Sequence, residues 1–233
     1  MLRRLRLFPL NTVLFPGATL NLHIFEPRYG EMLRECLDSG EGFGVALIAD
    51  GAEAGDSEVT PYQIGAVAEI RDVIALPQGR YYISTVGSER FRIREIVSRE
   101  PYLLVEVEVM DEPAGDVTEQ LVGSVRTCFD EYAELLGEYS GQKVEIDRSG
   151  EPQAFSYAVA DALLIAMRIK QRLLEVDDVQ TRLRSELDFL QKLLPQLRRV
   201  VENAKRDRDG GESGKLGFRE QQTKFYGKFF SQN

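Results

Sequence analysis

The chain changes its hydrophobic period once, at "DEPAGD" (residues 111–116), and that switch constrains the fold more than any motif does. Upstream, "TLNLHIF" alternates Leu20, Leu22 and Ile24 with Asn21, His23 and Phe25, and "YLLVEVEVM" alternates Val105, Val107 and Val109 with Glu106 and Glu108. A period of two is that of a strand with one buried face. Downstream, Leu121, Val122, Val125, Cys128, Phe129, Tyr132, Leu135 and Leu136 recur at helical spacing. A sheet-rich segment followed by a helical one is an α+β chain.

Within the first segment, Pro16 and Gly17 mark a turn, since Pro presets one dihedral pair and Gly permits the next. His23 reads as a half-buried strand residue. In "EPRYGEMLRECLDSG" the period changes briefly: Tyr29, Met32, Leu33, Cys36 and Leu37 share a helical stripe, Pro27 suits its first position and Gly40 its stop. "FGVALIAD" is an apolar run of strand length, and residues 64–96 predict at least three further strands, punctuated by Gly65, Pro77–Gly79 and Gly87. Such a largely antiparallel sheet must curl or close to hide its edges, with one helix packed on it.

Three helices follow in the second segment. Asp116 with Glu119 predicts the first start, and Gly137 its end; the second runs from Phe155 toward Leu174; the third begins at Asp177 or Asp178. Pro195 is expected to kink the third, because it removes a backbone donor and crowds the preceding turn. The expected divisions are a sheet subdomain over 1–115, a helical bundle over 116–205, and a polar linker with a basic aromatic tail over 206–233. That tail, with Phe218, Phe225, Tyr226, Phe229 and Phe230 beside Arg219, Lys224 and Lys228, is expected to dock on the body, the alternative being a membrane or partner anchor.

Charge narrows the partners. Residues 1–115 hold 11 arginines against 18 carboxylates, and the chain carries −9 overall, which repels phosphate backbones and disfavours nucleic acid. Arg90, Arg92 and Arg94 alternate on one strand face, flanked by Glu89 and Glu95, and read as a solvated face. Cys36 and Cys128 sit among apolar residues and read as buried thiols; with one histidine, a zinc site lacks ligands. No stretch reaches signal-peptide or membrane-span length, so the expected compartment is a reducing cytoplasm.

Motifs that would carry chemistry fail on inspection. "GGESGKLG" lacks the first glycine and the hydroxyl of a phosphate-binding loop, and "GEGFG" lacks the third glycine of a dinucleotide turn. Ser140 and Lys143 have nucleophile–base spacing but lie in a glycine-broken loop. Glu106 and Glu108 read as a solvated strand face rather than an acid–base pair. Catalytic residues, metal ligands and cofactors are therefore none on this reading.

The blocks "FPL...VLFPG...L..HIFEPRY..ML", "IGAVAEI......LPQGRYYISTVGSERFRI", "PYLLVEVEV" and "KQRLLEVDDVQTRLRSELDFL" closely resemble the amino-terminal substrate-binding domain of the ATP-dependent Lon proteases, over about residues 5–195. The resemblance implies a PUA-like curled or pseudo-barrel sheet followed by a helical bundle. It also implies a binding module, since that domain helps Lon capture unfolded or tagged polypeptides and the related domain of cereblon is a platform for partner proteins. Nothing here resembles Lon's nucleotide-binding module or its serine segment, so a peptidase label does not extend to this chain. The expected role is non-catalytic polypeptide binding linked to proteolysis or quality control. Candidate contacts are Leu76, Pro77, Tyr81, Tyr82, Phe225, Tyr226 and Phe229; the motif residues Phe15, Pro16, Gly17, Phe25, Glu26, Pro27, Arg28 and Tyr29 read as structural. The alternatives are a small-molecule-binding or enzymatic barrel, which a closed polar pocket would favour, and an RNA-binding PUA-like domain, which a basic stripe would favour.

Overall fold

A computed structural model describes residues 2–51, 59–141, 143–147 and 150–209, with side chains described through Arg206. Its contacts divide the chain into two compact units: the chain up to Glu112 joined by Lys170–Glu175, and Pro113–Ile169 joined by the chain from Val176 onward.

The first unit holds seven described strands, β1 (Leu2–Leu10), β2 (Thr19–Ile24), β3 (Phe43–Asp50), β4 (Thr60–Pro61), β5 (Ile64–Leu76), β6 (Arg80–Ser98) and β7 (Leu103–Val109), with helix α1 (Pro27–Ser39) between β2 and β3. The sheet runs β1-β7-β6-β5-β3-β4, and β1 pairs in parallel with β3 through Leu7–Leu10, which brings the two ends of the path together. The result is a curled pseudo-barrel rather than a regular barrel, with β2 added outside the circuit on β6.

Alternation along β1 shows why the sheet curls. Leu5 and Leu7 enter one apolar cluster with Phe91, Val105 and Val107; Phe8 and Leu10 enter another with Tyr29, Met32, Leu33 and Phe43. Both faces of β1 are thus buried from Leu7 to Leu10, and α1 covers the second cluster with Tyr29, Met32, Leu33 and Cys36 of its expected stripe, while Leu37 is exposed. Pro27 opens α1 and Gly40 closes it in the left-handed conformation. Tyr29 stacks on Phe8 at 3.9 Å between centroids, and the Arg28 guanidinium lies 4.6 Å from the Tyr29 ring while it pairs with Glu26 at 2.9 Å.

Two strands, not three or more, span residues 64–98, because Gly87 does not end a strand. Its amide donates to the Ala18 carbonyl at 2.9 Å, and its carbonyl accepts from the Gly17 amide at 2.8 Å. A Cβ at Gly87 would stand 2.2 Å from the Phe15 carbonyl oxygen, so the glycine lets two backbones touch inside a continuous β6. Gly87→Ala should therefore lower stability by about 1–3 kcal/mol, read as a reduced urea midpoint with unchanged slope.

Glu35 of α1 accepts from Arg6 Nε at 2.9 Å and from the Tyr102 hydroxyl, tying β1, α1 and the approach to β7. The Tyr102 hydroxyl and then Arg6 hold the Glu35 carboxyl below the usual carboxylate range. A depressed acid stabilises the fold above its unfolded pKa and loses that contribution as pH falls through the folded one. Glu35 is partly exposed, so Glu35→Gln should cost at most about 1 kcal/mol near neutrality. The deficit should vanish in acid, which urea melts across a pH series would read.

In the second unit the elements are α2 (Glu119–Ser140), α3 (Pro152–Ala162), α4 (Met167–Glu175) and α5 (Val179–Asp209), α4 being shared between units at Lys170. Thr118, not Asp116, caps α2, its hydroxyl accepting from the Leu121 amide at 3.2 Å. Asp178 caps α5 through the Thr181 amide at 2.8 Å. The expected second helix is two, α3 and α4. Residues 163–166 leave the helical path, Leu163 and Ile165 are both buried, and the Leu164 amide donates to the Tyr132 hydroxyl at 3.0 Å. The continuous apolar run "ALLIAM" cannot fit one helix stripe, so a break lets more of it turn inward. The α5 helix is continuous across Pro195 and runs on through Arg206, into the stretch expected to be linker.

An apolar outer face as the candidate functional site

The three-stranded part of the sheet, β2-β6-β5, has one face toward α1 and one toward solvent. Its register sets Leu22, Ile83 and Val73 in one cross-strand row and His23, Tyr82 and Ile74 in the next. The first row belongs to the core under α1. Strand pleating turns the second outward.

Tyr82 is 52% exposed, Ile74 62% and Phe25, just beyond the end of β2, 57%. The His23 ring lies 4.7 Å from that of Tyr82 and 5.7 Å from that of Phe25, so three rings and Ile74 form a contiguous apolar surface. A shallow cavity of about 340 Å³ lies along it, lined by Asn21, His23, Asp72, Ile74, Tyr82 and Ser84 among others. In the next row Asn21 pairs with Ser84 and Ser84 with Asp72, which gives the apolar surface a polar rim. Exposed apolar surface of this kind, rimmed by polar groups on a rigid sheet, is the usual form of a surface that holds another chain.

Of the expected contacts, Tyr82 lies on this face. Tyr81, one residue earlier, points the other way and packs against the α1 core, so only one tyrosine of the pair is solvent-facing. Leu76 is half-buried and Pro77 exposed at the β5–β6 turn, where Gln78 adopts a φ of 66° and Gly79 one of 69°. Phe225, Tyr226 and Phe229 lie outside the described residues. His23, expected half-buried, is exposed. Phe15, by contrast, is fully buried at the turn that Pro16 and Gly17 make. His23 and Ile74 joined the candidate surface through register, not through any motif.

The arginine stripe is solvated only in part, Arg94 being exposed and Arg92 half-buried. Arg90 is buried, donating to the Leu174 carbonyl at 2.6 Å with Glu112 at 3.5 Å, while Arg94 pairs outside with Glu108. Ser140 donates to the Leu136 carbonyl at 2.7 Å and Lys143 pairs with Glu145, so the nucleophile–base spacing is not used. Burial pushes the Cys36 thiol up to about 11, far from reactive thiolate; Cys128 is only half-buried, also pushed up by partial burial. A second concavity, about 720 Å³ along Arg3, Arg4, Glu41, Glu69, Arg71 and Glu89, carries balanced charge, with Arg3 on Glu89 and Arg71 on Glu69. Among the described residues no His, Cys, Asp or Glu group could hold a metal ion, and no helix is long and apolar enough to cross a membrane.

A curled, largely antiparallel sheet with one helix packed on it, followed by helices, defines an α+β fold of the PUA-like type. Residues 4–192 match the ATP-dependent protease La (LON) substrate-binding domain, and the chain belongs to that family. It is 27% identical over 205 residues to the Lon protease of Brevibacillus choshinensis, covering 86% of this chain and 26% of that one. It is 30% identical over 189 residues to the Lon protease of Trichlorobacter lovleyi, covering 77% and 23%. The chain therefore spans about a quarter of the length of these curated relatives. A Lon N-terminal domain protein from Xanthomonas campestris superposes with a TM-score of 0.61 at 28% identity, covering 80% of this chain and 98% of that structure. The N-terminal domain of the Mycobacterium avium complex Lon protease shares the fold at a TM-score of 0.58 and 18% identity, covering 81% and 98%.

Proposed function

We propose that the chain is a non-catalytic polypeptide-binding module that works in proteolysis or protein quality control, holding extended apolar segments on the outer face of β2-β6-β5. The observation that carries this reading is the row His23, Tyr82 and Ile74 with Phe25 beside it, apolar groups displayed on a sheet whose other face is a packed core. An extended segment laid there would bury its alternate side chains against the rings while its backbone met the polar rim. Membership in a substrate-binding domain family supports the same role. The proposed setting is the cytoplasm.

The test is a fluorescence titration of the full chain with a chemically unfolded, labelled polypeptide. Tyr82→Ser and Phe25→Ser should each weaken binding by about 5- to 30-fold, from the roughly 1–2 kcal/mol that truncating one interface aromatic costs. Their urea midpoints should stay near the parent's, because both side chains are exposed. Equal affinity of parent and variants contradicts the reading. So does nucleotide hydrolysis or cleavage of the bound chain by the pure protein.

A further inference from the structure

Strand β2 is a sheet edge. Among the described strands it pairs with β6 alone, Thr19–Ile24 running in unbroken register with residues 81–86. The Ala18 carbonyl accepts from the Gly87 amide at 2.9 Å, and the Leu20 carbonyl accepts from the Thr85 hydroxyl at 2.9 Å. Even-numbered residues thus turn their backbone groups toward β6, and alternation turns the N–H and C=O of Thr19, Asn21 and His23 outward. Among the described residues nothing pairs with those outward groups.

An open strand edge invites pairing with another chain, and folded proteins guard such edges with charge, proline or a register break. The other open stretches among the described strands are guarded: Arg3 and Arg4 on β1, Pro61 on β4, Arg71, Asp72 and a register shift on β5, and Arg94 on β6. Thr19–Ile24 carries none of these guards. We infer that an uncharged, extended stretch of an incoming polypeptide adds to this edge as a further strand. This rests on the polypeptide-binding reading and adds how the chain is held. Side chains of the added strand alternate between two faces. Outward ones continue the row of His23 and Tyr82, while inward ones cover Leu20 and Leu22, which are half-buried at the border of the α1 core. Apolar, β-branched or aromatic residues suit both positions, and β2 holds no Asp, Glu, Lys or Arg for a charged one to pair with. A second copy of this chain fits the edge less well. Its six residues give a strip about 20 Å long and about 10 Å deep, on the order of 200 Å² a side, against roughly 800 Å² for a stable pair of folded proteins. A flexible chain can pair along the edge and still fold its side chains over both faces.

The test is a titration of the full chain with a fluorescently labelled, uncharged peptide, acetyl-Thr-Val-Thr-Tyr-Thr-Val-Thr-amide, and with singly N-methylated versions of it. Strand addition predicts that methylation weakens binding by about 5- to 30-fold at alternate residues, whose N–H groups face β2, and by little at those between. On the protein side, Asn21→Pro deletes an outward donor without removing a bond to β6, and Asn21→Lys puts a guarding charge on the edge. Each should weaken the peptide by about 5-fold or more with a urea midpoint near the parent's, and the lysine variant serves if proline disturbs the fold. No binding of the peptide overturns the inference, as does binding without the alternation or binding untouched by both Asn21 variants. Loss with Tyr82→Ser and Phe25→Ser but no alternation puts the peptide across the face, which discards the edge and keeps the polypeptide-binding reading. Self-association of the free protein that Asn21→Lys abolishes assigns the edge to a second copy and also overturns it. The titration with unfolded polypeptide uses a different ligand, so its outcome is read independently.

Discussion

Replacing Arg182 with alanine should be among the most damaging single changes in this protein, at about 3–5 kcal/mol. Arg182 is completely buried in the helical unit, as is Glu186 one turn further along α5. The two are joined through Ser156 of α3. Arg182 Nε donates to Ser156 Oγ at 2.8 Å, and that hydroxyl donates to Glu186 Oε1 at 2.8 Å. The guanidinium also lies 3.7 Å from the centroid of the Tyr157 ring. Removing the cation strips a buried carboxylate of its counter-charge and opens a cavity of side-chain size, and both effects act in one direction. The expected readout is a fall in Tm of roughly 10 °C, at about 2–4 °C per kcal/mol for a chain of this size. Changing Arg182→Met, Glu186→Leu and Ser156→Ala together should recover most of the loss, since apolar replacement of a whole buried network is often neutral. If the triple variant is no better than the single one, the network contributes through something other than paired buried charge.

Arg90→Ala should cost a similar amount, about 3–5 kcal/mol, through the sheet unit. Arg90 and Glu112 expose 1% and 3% of their side chains, and Arg90 also donates to the Leu174 carbonyl. Nearby, Gln171 Nε2 donates to the Ile64 carbonyl at 2.9 Å. Residues 170–175 thus complete the sheet unit although they lie far along the chain from it. A chain cut after Glu112 lacks them and should not reach the stability of the whole protein. A synthetic peptide of residues 167–176 added in trans should raise the fragment's urea midpoint, but not that of an Arg90→Ala fragment. A fragment over residues 1–112 as stable as the full chain would contradict this.

Much of the fold was legible in the sequence because it is written in local periods. The alternation of Leu20, Leu22 and Ile24, the α1 stripe from Tyr29 to Cys36, and the switch at Asp111–Asp116 each specify an element through its own burial pattern. What was not legible depends on contacts remote in sequence. Gly87 looks like a breaker until Phe15, 72 residues earlier in the chain, is seen to need the space of its missing side chain. Arg90 looks like the first member of a solvated row, yet the carbonyl of Leu174 and the carboxylate of Glu112 bury it. Of the candidate face only Tyr82 was legible, and His23 and Ile74 were not, for the same reason. A register shift between Ile70 and Asp72 decides which side of β5 Ile74 occupies, and no pattern in "EIRDVIAL" marks it.

Deuterium exchange of the full chain, with and without a saturating unfolded polypeptide, tests the central claim most directly. The account predicts slowed amide exchange over Thr19–Phe25, Asp72–Leu76 and Arg80–Val86, with little change in α2 and α5. Protection confined to the helices, or none anywhere while the polypeptide is bound, would contradict it.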